Sequence, residues 1–100
     1  MGRYEVEVSR TAEKQLRRLP RGDQERVVRK VLILAEDPFP RGARRLTGYV
    51  DVYRVRVGRY RILYSVSRSR LVIVVLKVGH RRDVYRRGRL GFRSKGFQDE

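Results

Sequence analysis

The chain has no cysteine, which excludes disulfides, thiolate nucleophiles and cysteine-based zinc sites and suits a reducing compartment. Histidine occurs once, as His80. No metal-ligand cluster, phosphate loop, paired carboxylates or Ser/His/Asp set is visible, so hydrolases of those kinds have no support and no cofactor is expected. Long apolar runs are missing too. The longest, LVIVVL at 71–76, falls far short of the roughly 18 residues needed to span a bilayer. The opening MGRYEVEVSR carries charges where a signal peptide needs apolar residues. These absences point to a soluble cytoplasmic protein.

Acidic residues are scarce in one part of the chain. Residues 38–98 hold seventeen Lys/Arg against Asp51 and Asp83 alone, whereas residues 1–37 hold nine against seven. The formal net charge is +15 and the pI is near 11.4. A surplus confined to one region implies a basic surface for a polyanion, most often nucleic acid. Arginine outnumbers lysine 22 to four. Its planar fork suits phosphate, although a GC-rich genome would produce the same ratio. No basic amphipathic helix occurs in that region, which argues against a membrane surface.

One hundred residues, 40% of them apolar, are enough for one domain with its own core. Tyr4 to Val8 alternates with period two and reads as a strand. Ser9 is a plausible N-cap, Ala12, Leu16 and Leu19 form one apolar stripe, and Pro20 stops the helix. Asp23 can cap a second helix to about Glu36, with Val27, Val28, Val31, Leu32, Leu34 and Ala35 as a wide buried face and Arg26, Arg29 and Lys30 outside. Residues 37–49 hold two of the three prolines and read as a loop. A hairpin follows at 51–66, then a nearly unbroken apolar strand at 71–78, the pattern of a central strand. The run HRRDVYRR reads as a short helix or turn. The expected fold class is α+β: an N-terminal strand, then a two-helix hairpin packed on one face of a four-stranded, mainly antiparallel sheet, then a short C-terminal helix. The single domain would occupy 1–87, with 88–100 as a mobile basic tail.

The hairpin DVYRVRVGRYRILYSV raises a physical difficulty. Gly58-Arg59 is a two-residue turn with glycine first. Closing Val57 on Tyr60 pairs Val55 with Ile62 and Tyr53 with Tyr64, and sets Arg56 opposite Arg61 with Arg54 two residues along. Like charges placed opposite one another destabilise a sheet. An arginine row is ordinarily a solvated face whose stems cover apolar surface. Here, however, the three arginines converge, and neither strand offers them an acidic partner. An antiparallel last strand would also bring Arg81 near Arg61, and Arg81 and Tyr85, four apart, would share a helix face. The helices on the opposite side would leave this face as an open, concave basic surface. Tyr85 and Tyr49 are the tyrosines best placed to stack bases.

Cleaving RNA through its own 2′-hydroxyl requires removing that proton, stabilising a dianionic phosphorane and protonating the leaving 5′-oxygen. Arginine suits the second step but, with a pKa above 12, not the first. His80 is the one side chain whose ordinary pKa lies near neutrality, which makes it a possible acid or base.

The stretches RRLTGYVDVYRVRVGRYRILYSV and VIVVLKVGHRRDVYRR, with the L-x-x-L-P end of the first helix and Asp37-Pro38 closing the second, resemble the RelE branch of the RelE/ParE toxin superfamily. The resemblance spans about residues 3–87. It implies a ribosome-dependent mRNA endonuclease that cuts in the A site, leaving a 2′,3′-cyclic phosphate and a 5′-hydroxyl, and it implies a RelB-like antitoxin as partner alongside the ribosome and mRNA. It matches Arg54 and Arg56 to substrate-binding and activating positions, Arg61 to transition-state stabilisation, Arg81 to a general acid or phosphate clamp, and Tyr85 to substrate orientation. Arg44, Arg45 and Arg82 extend the expected substrate surface. Relatives carry lysines where this chain has Arg54 and Arg56, so the arginines imply mainly electrostatic catalysis. After Arg87 the chain is glycine-rich where relatives continue a helix. A ParE-like inhibitor of DNA gyrase and a non-catalytic RNA-binding protein are the alternatives.

Overall fold

Period-two alternation near the start of the chain produces the first strand, β1, Glu5–Val8. A computed structural model describes residues 3–80. The expected C-terminal helix, the 88–100 tail, Arg81, Arg82 and Tyr85 lie outside the described residues. Ser9 caps helix α1, Arg10–Arg17: its Oγ accepts from the Ala12 N–H at 3.0 Å. The same hydroxyl donates to the Leu76 carbonyl at 2.9 Å, tying the helix start to the sheet.

Helix α2 spans Arg21–Glu36, and its N-cap is Pro20 rather than the expected Asp23. Proline needs no partner for an N–H, and its fixed φ near −58° leads into the helix. The Pro20 carbonyl accepts from the amides of Asp23 and Gln24, both at 2.9 Å. Asp23 therefore lies in the first helical turn, where a carboxylate still complements the helix dipole. The buried stripe of α2 is narrower than its apolar residues suggest. Val27, Leu34 and Ala35 are buried, whereas Val28, Leu32 and Ile33 are 43%, 60% and 51% exposed. A helix lying on a sheet meets it along one stripe, and these three residues flank that stripe.

The sheet continues with β2, Arg44–Arg45, β3, Val52–Val57, β4, Tyr60–Ser67, and β5, Val72–His80. It has five strands, not the expected four, in the order β1-β5-β4-β3-β2. The added strand β2 is two residues long and pairs with the outer edge of β3, too short for any periodicity to reveal. Strands β1 and β5 run parallel and the other neighbours antiparallel. The central place goes to β4. Among the described residues, no helix is long and apolar enough to cross a membrane.

The hairpin closes in the expected register. Val57 pairs with Tyr60, Arg56 with Arg61, Val55 with Ile62 and Tyr53 with Tyr64. Gly58 has φ +60°, as the first residue of such a turn requires. Alternation then sorts the two faces. Val55, Ile62, Tyr64, Ile73, Val75 and Val78 pack with Ala12, Val27 and Leu34 under the helices. On the other face Val52, Leu63 and Leu76 form a second cluster, over which Leu46 and Tyr49 pack. A bulge between Leu63 and Tyr64 shifts the β4–β5 register from Lys77 to Val75, which brings Leu76 into that second cluster.

The outer edge of β5 is closed by two devices in succession. Strand β1 pairs with it from Val72 to Val75, and α1 then takes over. The Ser9 N–H donates to the Val75 carbonyl at 3.0 Å, and the Val78 N–H donates to Gln15 Oε1 at 2.8 Å. These contacts hold the end of β5 beside the start of β4.

Gln15→Ala leaves the Val78 amide without its acceptor and lowers stability by about 1–3 kcal/mol, which is a fall of some 4–8 °C in Tm per kcal/mol for a domain of this size. Gln15→Glu retains most of the stability, and an unchanged Tm in the alanine variant would refute the contact's role. Arg56→Thr removes the like-charge pair and raises stability by roughly 0.2–1 kcal/mol at low salt. The gain shrinks as added salt shortens the screening length, and a stability loss in denaturation at both salt levels would refute the repulsion.

Candidate nucleic-acid interface

Three strands deliver arginines to one place. Arg54 and Arg56 alternate along β3, Arg61 stands opposite Arg56 on β4, and Arg44 of β2 pairs with Arg54. By pleat alternation all four share the face opposite the helices. Arg44, Arg54, Arg56 and Arg61, with Gly42 and Val55, line a cleft of about 340 Å³. Arg56 and Arg44 are exposed, while Arg54 and Arg61 are half-buried, and the Nε of Arg61 is buried. The hairpin register and the β2–β3 pairing thus build a cationic recess from backbone pairing alone.

Three acidic side chains among the described residues are engaged elsewhere. The ion pairs among the described residues join Arg3 to Glu36, Arg17 to Glu13 and Arg26 to Asp23. None of them involves Arg44, Arg54 or Arg56. Guanidinium groups aligned on one face are costly for the isolated fold and favourable for an incoming phosphate, which each fork can grip with two N–H groups.

Other expected site residues fall outside the cleft. Arg45 pairs with Tyr53, and the two-residue period turns it to the helix side, away from Arg44. His80 ends β5 opposite Tyr60, and its ring meets the Tyr60 ring edge-on at 5.8 Å. It is exposed and shares the register face of Val78 and Tyr60, so it does not line the arginine cleft. Tyr49, a candidate for base stacking, packs over the second apolar cluster. The face is accordingly divided: an apolar half covered by Leu46 and Tyr49, and a basic half that the described residues leave uncovered. Arg81, Arg82 and Tyr85 lie outside the described residues; β5 ends with Gly79 opposite Arg61 and His80 opposite Tyr60.

One link at the hairpin tip was not visible in the sequence. The Tyr60 hydroxyl donates to Asp23 Oδ2 at 3.0 Å, joining the tip to the first turn of α2. Burial, followed by the Asp23 hydrogen bond, raises the Tyr60 pKa above its usual value, against the lowering influence of Arg59. The hydroxyl therefore remains a donor. A half-buried tyrosine needs a partner for its O–H, which was the available signal, but nothing in the sequence selects Asp23. Among the described residues, no group of three or more His, Asp or Glu side chains could hold a metal ion.

The matches to known proteins agree with this geometry. Residues 6–85 match the family model of the ParE toxin of type II toxin–antitoxin systems, parDE. The chain is 32% identical over 85 residues to toxin RelG of Mycobacterium tuberculosis, which covers 84% of this chain and 98% of RelG. The archaeal RelE–RelB complex from Pyrococcus horikoshii OT3 contains a chain 35% identical, with a TM-score of 0.68 over 78% of this chain and 94% of that one. In the toxin–antitoxin complex RelBE2 of Mycobacterium tuberculosis the corresponding figures are 29% identity, a TM-score of 0.71, and coverage of 78% and 98%. The chain belongs to the RelE/ParE superfamily of type II toxin–antitoxin toxins, on its RelE-like side.

Proposed function

We propose that this toxin is a cytoplasmic endoribonuclease that cuts mRNA in the ribosomal A site and is restrained by a small RelB-like antitoxin. The observation that carries the proposal is the convergence of Arg54, Arg56 and Arg61 on one cleft. RelE relatives occur in complexes with RelB antitoxins in P. horikoshii and as RelBE2 in M. tuberculosis, which supports an antitoxin of that kind here. An acidic partner suits a chain of net charge +15.

The chemistry begins with attack of an RNA 2′-hydroxyl oxygen on the adjacent phosphorus. The 2′-hydroxyl proton passes to water, the bond to the 5′-oxygen breaks and that oxygen takes a proton from water, leaving a 2′,3′-cyclic phosphate and a 5′-hydroxyl. Between these states the phosphorane carries an extra negative charge on its equatorial oxygens. Arg61, half-buried and held by the central strand, is the preorganised cation for that charge. Arg54 and Arg56 grip the flanking phosphates and bend the chain at the scissile position. No side chain with an ordinary pKa near neutrality lines the cleft among the described residues. Catalysis in this reading is therefore mainly electrostatic and positional, with Arg81 and Tyr85 completing the site by family resemblance.

A second reading has one observation in its favour: the matching family model is named for ParE. A ParE-like inhibitor of DNA gyrase has no need for an arginine cleft. One experiment separates the two. Antitoxin-free protein is added to programmed ribosomes and the mRNA ends are mapped, with gyrase supercoiling assayed in parallel. Codon-phased cuts are expected, falling about 10²–10³-fold in Arg61→Ala, as for loss of one preorganised donor. Intact message together with blocked gyrase would overturn the endonuclease reading.

A further inference from the structure

A second hollow adjoins the arginine cleft around the tip of the hairpin. Arg56, Gly58, Arg59, Tyr60 and His80 line it, and its volume is about 300 Å³, close to that of the cleft. Arg56 borders both spaces, so the two adjoin at the end of β3. Each is at the small end of the range of ligand sites, about 300–1,000 Å³. We infer that this hollow is a second nucleotide subsite for single-stranded RNA, in which Arg59 takes the phosphate next to the one held in the cleft and Tyr60 and His80 form its aromatic wall. The inference rests on the endonuclease reading above and extends the same binding track.

The fold itself does not require these residue types. Glycine at 58 satisfies the left-handed φ of the turn, and the following position accepts almost any residue, so an exposed arginine there is not demanded by the backbone. The wall is also held firmly. Tyr60 is fixed by its hydrogen bond to Asp23 at 3.0 Å and by the edge-on contact with His80 at 5.8 Å. Asp23, the carboxylate in contact with this wall, is itself engaged by Arg26 at 3.6 Å. Arg26 Nη1 also reaches to 3.5 Å of where a Cβ on Gly58 would stand, adding a cation at the tip. A rigid aromatic wall among cations is the arrangement that binds single-stranded nucleic acid with little dependence on base identity.

The test measures binding of the full chain, free of antitoxin, to a single-stranded RNA with every 2′-hydroxyl methylated, so that it cannot be cut. Affinity is followed by fluorescence anisotropy across a range of salt for Arg59→Ala, Arg59→Lys, His80→Ala and Arg61→Ala, with Arg29→Ala on α2 as the distant control. Loss of one phosphate contact on a single strand lowers the slope of log affinity against log salt by about 0.7. Arg59→Ala is expected to show that change with weaker binding, Arg59→Lys to restore it, and His80→Ala to weaken binding. On programmed ribosomes, Arg59→Ala should raise the toxin concentration needed for half-maximal cleavage while leaving the maximal rate near wild type. Wild-type affinity and slope in Arg59→Ala, with binding lost in Arg61→Ala, would overturn the subsite and leave the cleft intact. Unchanged binding in both variants would overturn the cleft as well. An Arg59 effect confined to antitoxin binding would assign the hollow to the antitoxin and overturn the inference.

Discussion

The pairing of Val57 with Tyr60 across Gly58-Arg59 is the constraint on which the rest of the molecule depends. Side chains in a strand alternate faces, so a slip of one residue would carry every arginine of β3 into the helix-covered core. That core accepts only Val55, Ile62, Tyr64 and their neighbours, and the cost of burying guanidinium groups there prevents the slip. The same hydrophobic pattern that fixes the register therefore lines up Arg54, Arg56 and Arg61 on the opposite face. The repulsion between Arg56 and Arg61 follows from that placement. Core packing stabilises the domain strongly enough to hold like charges together on one face.

Helix α1 extends this control to the far end of the sheet. Where β1 ends, Ser9 and Gln15 satisfy the backbone of β5, and β5 in turn sets Gly79 and His80 beside Arg61 and Tyr60. Tyr60 reaches back to Asp23 on α2. The basic face is thus supported from behind by both helices, although neither contributes a residue to the cleft. In the endonuclease reading, the rigidity that electrostatic catalysis requires comes from these contacts.

Much of this was legible in the sequence because it depends on short-range alternation. The hairpin register, the Ser9 cap, the stop at Pro20 and the assignment of arginines to the face away from the helices all follow from local pattern. The departures have identifiable causes. Strand β2 has two residues and exists only because β3 offers it an open edge. The exposure of Val28, Leu32 and Ile33 depends on how α2 lies on the sheet, which apolar content alone does not reveal. Arg45 adjoins Arg44 in sequence and His80 has the one ordinary pKa near neutrality, yet alternation and strand ends turn both to the other face. The apolar cover formed by Leu46 and Tyr49 and the Tyr60–Asp23 link join residues far apart in the chain, with no local signal.

In the endonuclease reading, side chains from separate strands form one receptor for a bent RNA phosphate. The most direct measurement is a crystal structure of the full chain bound to a short RNA whose attacking hydroxyl is methylated. The phosphate at the methylated position is expected within hydrogen-bonding distance of the Arg61 guanidinium, with Arg54 or Arg56 on a neighbouring phosphate. RNA bound on another face, with the 340 Å³ cleft left to solvent, would contradict it.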